Sequence, residues 1–162
     1  MIDKEDVLRE ILKRLEVDRE SAEQSRKSAH DAMVEAPGPM QSHSDTTRFQ
    51  KGVLIDQYSG LIAEKSQAIS IVRFLLESLG NKILDRVQAG AAIGLKTHDG
   101  TPEFYFMIPY AAGILIRRDG KNFTTLTPTS PLGAALLNKR VGDEIELRTD
   151  SSVRTLTVTS ID

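Results

Sequence analysis

From Asp3 to Met33 the chain holds no glycine and no proline. Within that stretch Leu8, Leu12, Leu15, Ala22, Ala29 and Met33 fall on alternating steps of four and three, and Arg19 and Arg26 fill two positions of the same row. This is a heptad stripe, the mark of a helix that packs along one partner. The other positions are dense in charge. Glu5/Arg9, Glu10/Arg14 and Glu23/Lys27 are spaced i, i+4 with the acid first. Each such pair contributes about 0.2–0.5 kcal/mol, enough to help an exposed helix stay helical. A helix of about thirty residues is about 45 Å long, and its stripe requires a neighbour of similar length.

The neighbour follows directly. "APGP" (Ala36 to Pro39) ends the first helix, because proline lacks the N–H and clashes with the preceding turn. Ser44 or Asp45 is a good N-cap for a second helix, which runs to Leu79 with Gly80 as its stop. Its stripe is Leu54, Tyr58, Leu61, Ala68, Val72, Leu75 and Leu79, widened by Ile55, Ile62 and Ile69. Two long helices with a short connection pack antiparallel. A hairpin of this kind has little core for its surface and needs a base or a partner. The expected division is therefore a coiled-coil hairpin over residues 1–80, with its tip at 34–47, and a second domain over 81–162.

Past residue 80 the pattern shortens. "AAIGLKT", "EFYFMIPY", "GILIRR", "NFTTLTP", "DEIELRT" and "VRTLTVTSI" are rich in β-branched and aromatic residues. Turn signals part them at His98-Asp99-Gly100, Arg118-Asp119-Gly120, Gly142-Asp143 and Asp150-Ser151-Ser152. In "TSPLGAALLNK" Ser130 suits an N-cap and Pro131 a first helical residue, with Leu132, Ala135 and Leu136 on one face. The reading is α+β: a helical hairpin, then a mostly antiparallel sheet of five or six strands with one short helix.

Charge and composition narrow the chemistry. The 21 basic and 23 acidic residues give a net charge of -2, unlike a protein built to coat nucleic acid. The absence of cysteine excludes disulfides, thiolate metal sites and cysteine nucleophiles. His30, His43 and His98 have unrelated spacings, so no metal site of the protein's own is expected. "MIDKEDVLRE" is not patterned as a signal peptide, and no apolar run approaches a membrane span of about 20 residues. A cytoplasmic location without membrane contact is expected.

The stretch "TPTSPLGAALLNKRVGDEIEL", Thr127 to Leu147, resembles the C-terminal domain of the Gre transcription factors of GreA/GreB type. There a strand leads to Ser-Pro-Leu/Ile-Gly/Ala, a short helix, a Lys-Gly-Asp-like turn and another strand. The hairpin before it suits the Gre coiled coil in place and length. The resemblance implies an FKBP-like antiparallel β domain with one short helix. It also implies bacterial RNA polymerase as the partner. The coiled coil would enter the secondary channel, and Ser130, Pro131 and Leu132 would dock the sheet domain on the channel's rim. Nucleic acid would be met only through the polymerase, by a monomeric factor that is not itself an enzyme and has no cofactor of its own.

In that family the tip carries two acids three residues apart, which help hold a second Mg²⁺ in the polymerase active centre for transcript cleavage. Laid on that pattern, "SDTTRFQ" puts Asp45 at the first acid and Arg48 at the second. A guanidinium offers only donors and stays protonated, so it repels Mg²⁺ where a carboxylate would bind it. Weak or absent cleavage is the expectation, with Asp45 near the polymerase Mg²⁺ and His43, Ser44, Thr46 and Arg48 as its tip neighbours. Plainer roles stand beside this one. Ser44 and Asp45 can cap the second helix, Arg48 can pair on the helix surface, His43 can be solvated, and Phe49 can pack near the tip. Three alternatives remain open: a true cleavage factor using Asp45 with Glu35, a coiled-coil adaptor, and an FKBP-like prolyl isomerase. The last would need a dry aromatic pocket, and the chain has no Trp and 5% aromatic residues.

Overall fold

A computed structural model describes residues 3–35, 42–78, 82–118, 120–149 and 152–162. The two helical patterns form α1, Lys4–Val34, and α2, Ser42–Ser78. The six short patterns form β1 (Ala92–Thr97), β2 (Pro102–Met107), β3 (Leu115–Arg118), β4 (Lys121–Leu126), β5 (Glu144–Thr149) and β6 (Ser152–Ile161). A one-turn helix α3, Pro131–Leu136, lies between β4 and β5. The chain forms two compact units: Met1–Leu12 with Ser70–Asp162, and Lys13–Ile69.

In the Lys13–Ile69 unit, Asp18, Ala22 and Ser25 of α1 share a groove with Tyr58, Leu61 and Lys65 of α2. Further on, Lys27 and His30 share one with Ile55. Later residues of α1 meet earlier residues of α2, so the helices are antiparallel. Leu8, Leu15, Ala22 and Ala29 are buried at seven-residue intervals along α1. The other half of the stripe is looser: Leu12, Arg19 and Met33 are half-buried and Arg26 is exposed. On α2 Ala68, Val72 and Leu75 of the expected row are buried, but toward its start the inward row shifts by one residue. Leu54 and Leu61 are exposed, while Ile55, Tyr58 and Ile62 are half-buried and Ile69 is buried. A helix drifts about 20° per heptad from a strict seven-residue repeat, so a broad apolar face leaves the seam row undetermined. The ion pairs also regroup. Arg9 meets Glu5 at 3.4 Å as expected, but Arg14 reaches Asp18 at 3.6 Å, and Glu23 meets Arg19 at 3.5 Å.

The six strands form one sheet in the order β3-β4-β2-β1-β6-β5. All neighbouring pairs are antiparallel except β2 with β4, which is parallel, so the sheet is mixed. The chain reaches β4 from β2 through the edge strand β3, and β4 then folds back into the gap between them. Strand alternation splits the side chains between two faces. On one face Ile93, Leu95, Met107, Leu126, Ile145, Leu156 and Val158 form a core with Leu136 of α3 and Val87. Phe106 and Phe123 alternate with these residues and are buried on the opposite face. The same compact unit includes the hairpin base, where Val7, Leu8, Ile11, Val72 and Leu75 are also buried. Gly94 sits where β1 shifts register against β6, and a Cβ there would stand 2.5 Å from the Ser160 hydroxyl. The missing side chain leaves that space to the Ser160 and Thr159 hydroxyls.

Candidate functional site: the hairpin tip and the start of the short helix

Two places carry the residues singled out in the sequence. The first is the tip. α1 ends at Val34, and Glu35 follows, exposed, its backbone N–H donating to the Asp31 carbonyl at 3.0 Å. The APGP break lies outside the described residues. α2 begins at Ser42, so Ser44 and Asp45 lie inside the helix and do not precede it. No glycine or proline falls between Met40 and Lys51, so nothing in the local sequence stops the helix at Asp45. His43, Ser44 and Asp45 occupy the opening turn or so of α2, and their side chains lie outside the described residues. Asp45 and Arg48 are i and i+3 on this helix, a spacing that makes neighbours on its surface. Thr46 is exposed and Arg48 half-buried. Phe49, expected to pack, is 73% exposed. A single aromatic in a polar stretch gives no periodic signal for which way it faces, so the sequence alone cannot orient it.

The second place is the start of α3. Ser130 has extended backbone angles, and its Oγ accepts from the Gly133 N–H at 3.1 Å while donating to the Thr127 carbonyl at 2.7 Å. This is the expected N-cap, with Pro131 at the first helical position. Pro131 is exposed, whereas Leu132 is half-buried and packs on the sheet core. Of the two, Pro131 presents a surface and Leu132 chiefly holds the helix down. The helix ends at Leu136, and two residues on Asn138 has a left-handed φ of 64°. The Asn138 N–H donates to the Val87 carbonyl at 2.9 Å, and the Val87 N–H to the Lys139 carbonyl at 2.8 Å. These bonds tie the residues entering the sheet domain to the end of α3. Nearby, Asp85 accepts from Arg86 at 3.2 Å, which holds its carboxyl below the usual carboxylate range, and lies 3.8 Å from Arg140.

Elsewhere in the sheet domain, Thr97, His98, Asp99, Glu103, Arg154 and Thr155 line an open polar groove. There Arg154 donates to Glu103 at 2.5 Å, and the Tyr105 hydroxyl donates to the same carboxylate at 2.9 Å. Burial, reinforced by Glu103, pushes the Tyr105 phenol up to about 12. The Phe104 ring meets Phe123 at a centroid distance of 5.6 Å, and the Lys121 ammonium covers it at 4.8 Å. Neither feature is a dry aromatic pocket open to a proline. Among the described residues no group of three or more His, Asp or Glu could hold a metal ion. Nor is any helix among them long and apolar enough to cross a membrane.

The family described as transcription elongation factor GreA/GreB, C-terminal domain, matches residues 82–162. That range holds all six strands and α3. The chain belongs to the GreA/GreB family. Solved structures similar to this Gre-family chain include GreA factor homolog 1 (Gfh1) of Thermus thermophilus, at 18% identity over 96% of this chain and 94% of that one, with a TM-score of 0.38. Gfh1 of Thermus aquaticus is 17% identical over 92% of each chain, with a TM-score of 0.38. The GreA/GreB elongation factor of Nitrosomonas europaea is 17% identical over 59% of this chain and 93% of that one, with a TM-score of 0.37. No curated protein matches the sequence.

Proposed function

We propose that this Gre-family chain is an accessory factor that enters the secondary channel of bacterial RNA polymerase and modulates initiation or elongation with little or no stimulation of transcript cleavage. Family membership implies the polymerase as partner. The observation that carries the finer reading is the Arg48 position, three residues after Asp45 on α2, where cleavage factors of this family carry their second acid. One carboxylate and one guanidinium nearly cancel, so the tip adds little negative charge with which to hold a divalent ion. In this reading the factor is a monomer without catalysis or metal of its own, and any Mg²⁺ near Asp45 is the polymerase's. The sheet domain holds the channel rim through the exposed start of α3, with Ser130 shaping the turn and Pro131 offering the contact.

The test is transcript cleavage by backtracked polymerase, with and without the protein, alongside a pull-down of the polymerase. The expected result is binding with little added cleavage, a several-fold gain in cleavage for Arg48→Glu, and weaker binding for Pro131→Ala. Strong cleavage by the unaltered protein that falls on Glu35→Gln would replace this reading with a true cleavage factor. Absence of polymerase binding would replace it with an adaptor role for the hairpin.

A further inference from the structure

Lysine is almost never fully buried unless it is paired, yet Lys4, in the first turn of α1, is 2% exposed. Its Nζ donates to the backbone carbonyl of Lys82, a partner 78 positions away. Burial lowers its pKa from the usual lysine value, opposed by the negative charge of Asp162. Taking an ammonium out of water is unfavourable unless it finds a good acceptor. An aliphatic side chain at this position would avoid that cost, so the charged end needs its own explanation.

The surroundings supply one. Two residues further along α1, Asp6 lies 3.8 Å from Arg118 at the end of β3. Residues i and i+2 lie on different sides of a helix, so the first turn of α1 is tethered to the sheet domain at two points. The Asp6–Arg118 pair is exposed on both sides, and such pairs, screened by water and salt, contribute little. On the same face of the helix as Lys4, at i+3, i+4 and i+7, Val7, Leu8 and Ile11 are buried. Apolar burial gives adhesion without direction, and it resists rotation or sliding of the helix poorly. A hydrogen bond from a dry ammonium to a fixed carbonyl is directional and strong. The carbonyl belongs to the first described residue entering the sheet domain, and Leu84 and Val87 just beyond are packed in the core.

We propose that Lys4 is a positioning residue whose ammonium, hydrogen-bonded to the Lys82 carbonyl, fixes the direction in which α1 leaves the sheet domain. This goes beyond the reading of the tip and does not depend on it.

Because the chain has no cysteine, spin labels can be placed uniquely with Glu10→Cys and Val153→Cys, both exposed and both in the unit that contains the sheet domain. In the full chain, Lys4→Met is expected to broaden the measured distance distribution while helix content is retained. Val7→Ala, which removes apolar packing without touching the hydrogen bond, is expected to leave the width unchanged. Equal widths in Lys4→Met and the parent, or equal broadening in Val7→Ala, would overturn the proposal. A second measurement needs no change at Lys4. In the parent chain an amine-reactive acylating reagent should modify Lys4 at least about tenfold more slowly than exposed Lys27 and Lys96, the protection expected of a group reached only through local opening. Acylation of all three at similar rates would overturn it whether or not Lys4→Met folds.

Discussion

Gly133 shows how tightly one residue can be specified. It is buried in α3, and a Cβ there would stand 1.9 Å from the Thr127 carbonyl oxygen, the same oxygen that accepts from Ser130. Gly133→Ala should therefore destabilise the protein by about 1–3 kcal/mol or more, the range for forcing atoms into a filled space, as read from thermal or denaturant unfolding. Tyr105 gives a second single-residue prediction. Its phenol is pushed up to about 12 from the ordinary tyrosine value of about 10, so the folded chain keeps a proton that the unfolded chain releases earlier. The unfolded state then binds fewer protons, and stability falls as pH rises from about 10 to 12. Absorbance of tyrosinate should show a step near pH 12 that disappears in Tyr105→Phe. At this scale the sequence was legible wherever the partner was close. Ser130 and Pro131 mark a helix start because the cap and its N–H lie within three residues. Lys4 was illegible because its acceptor is 78 positions away, and no local pattern encodes that.

At the level of elements, all six strands and three helices were readable, since each rests on a period of two or of three to four residues. The missing details are those that packing decides. α2 carries apolar residues at both Leu54 and Ile55 and at both Leu61 and Ile62, and only the partner helix selects which of each pair turns inward. α2 starts at Ser42, ahead of the good capping residues Ser44 and Asp45, because no glycine or proline follows Pro39 before them. The parallel β2–β4 pair was invisible as well, because alternation gives a strand's faces but not its neighbours. Gly60 offers the element-scale test. It is exposed in the middle of α2, with nothing within 4 Å of where a Cβ would stand. Gly60→Ala should stabilise the helix by about 0.5–1 kcal/mol, seen as a higher melting temperature by circular dichroism.

For the whole molecule, the compact unit that holds the sheet extends beyond residues 82–162. Phe106 and Phe123 are buried on the face away from the α3 core, and the same compact unit includes residues 1–12 and 70–78. A chain reduced to residues 82–162 should unfold at a lower temperature than the full protein and bind a hydrophobic dye, because this apolar face would meet water. Equal melting temperatures and no dye binding would show that the sheet closes that face by itself. The order of the strands has a consequence for how the protein is made. β6, made after the other five strands of this sheet, is not an edge but lies between β1 and β5, with Ile161 opposite Ile93. Until it emerges, β1 has an open side and β5 has no partner at all. The nascent sheet waits half-built with bare backbone groups that invite pairing with other chains. The helical arm, which precedes the strands in the chain and rests on local contacts, can already be folded by then.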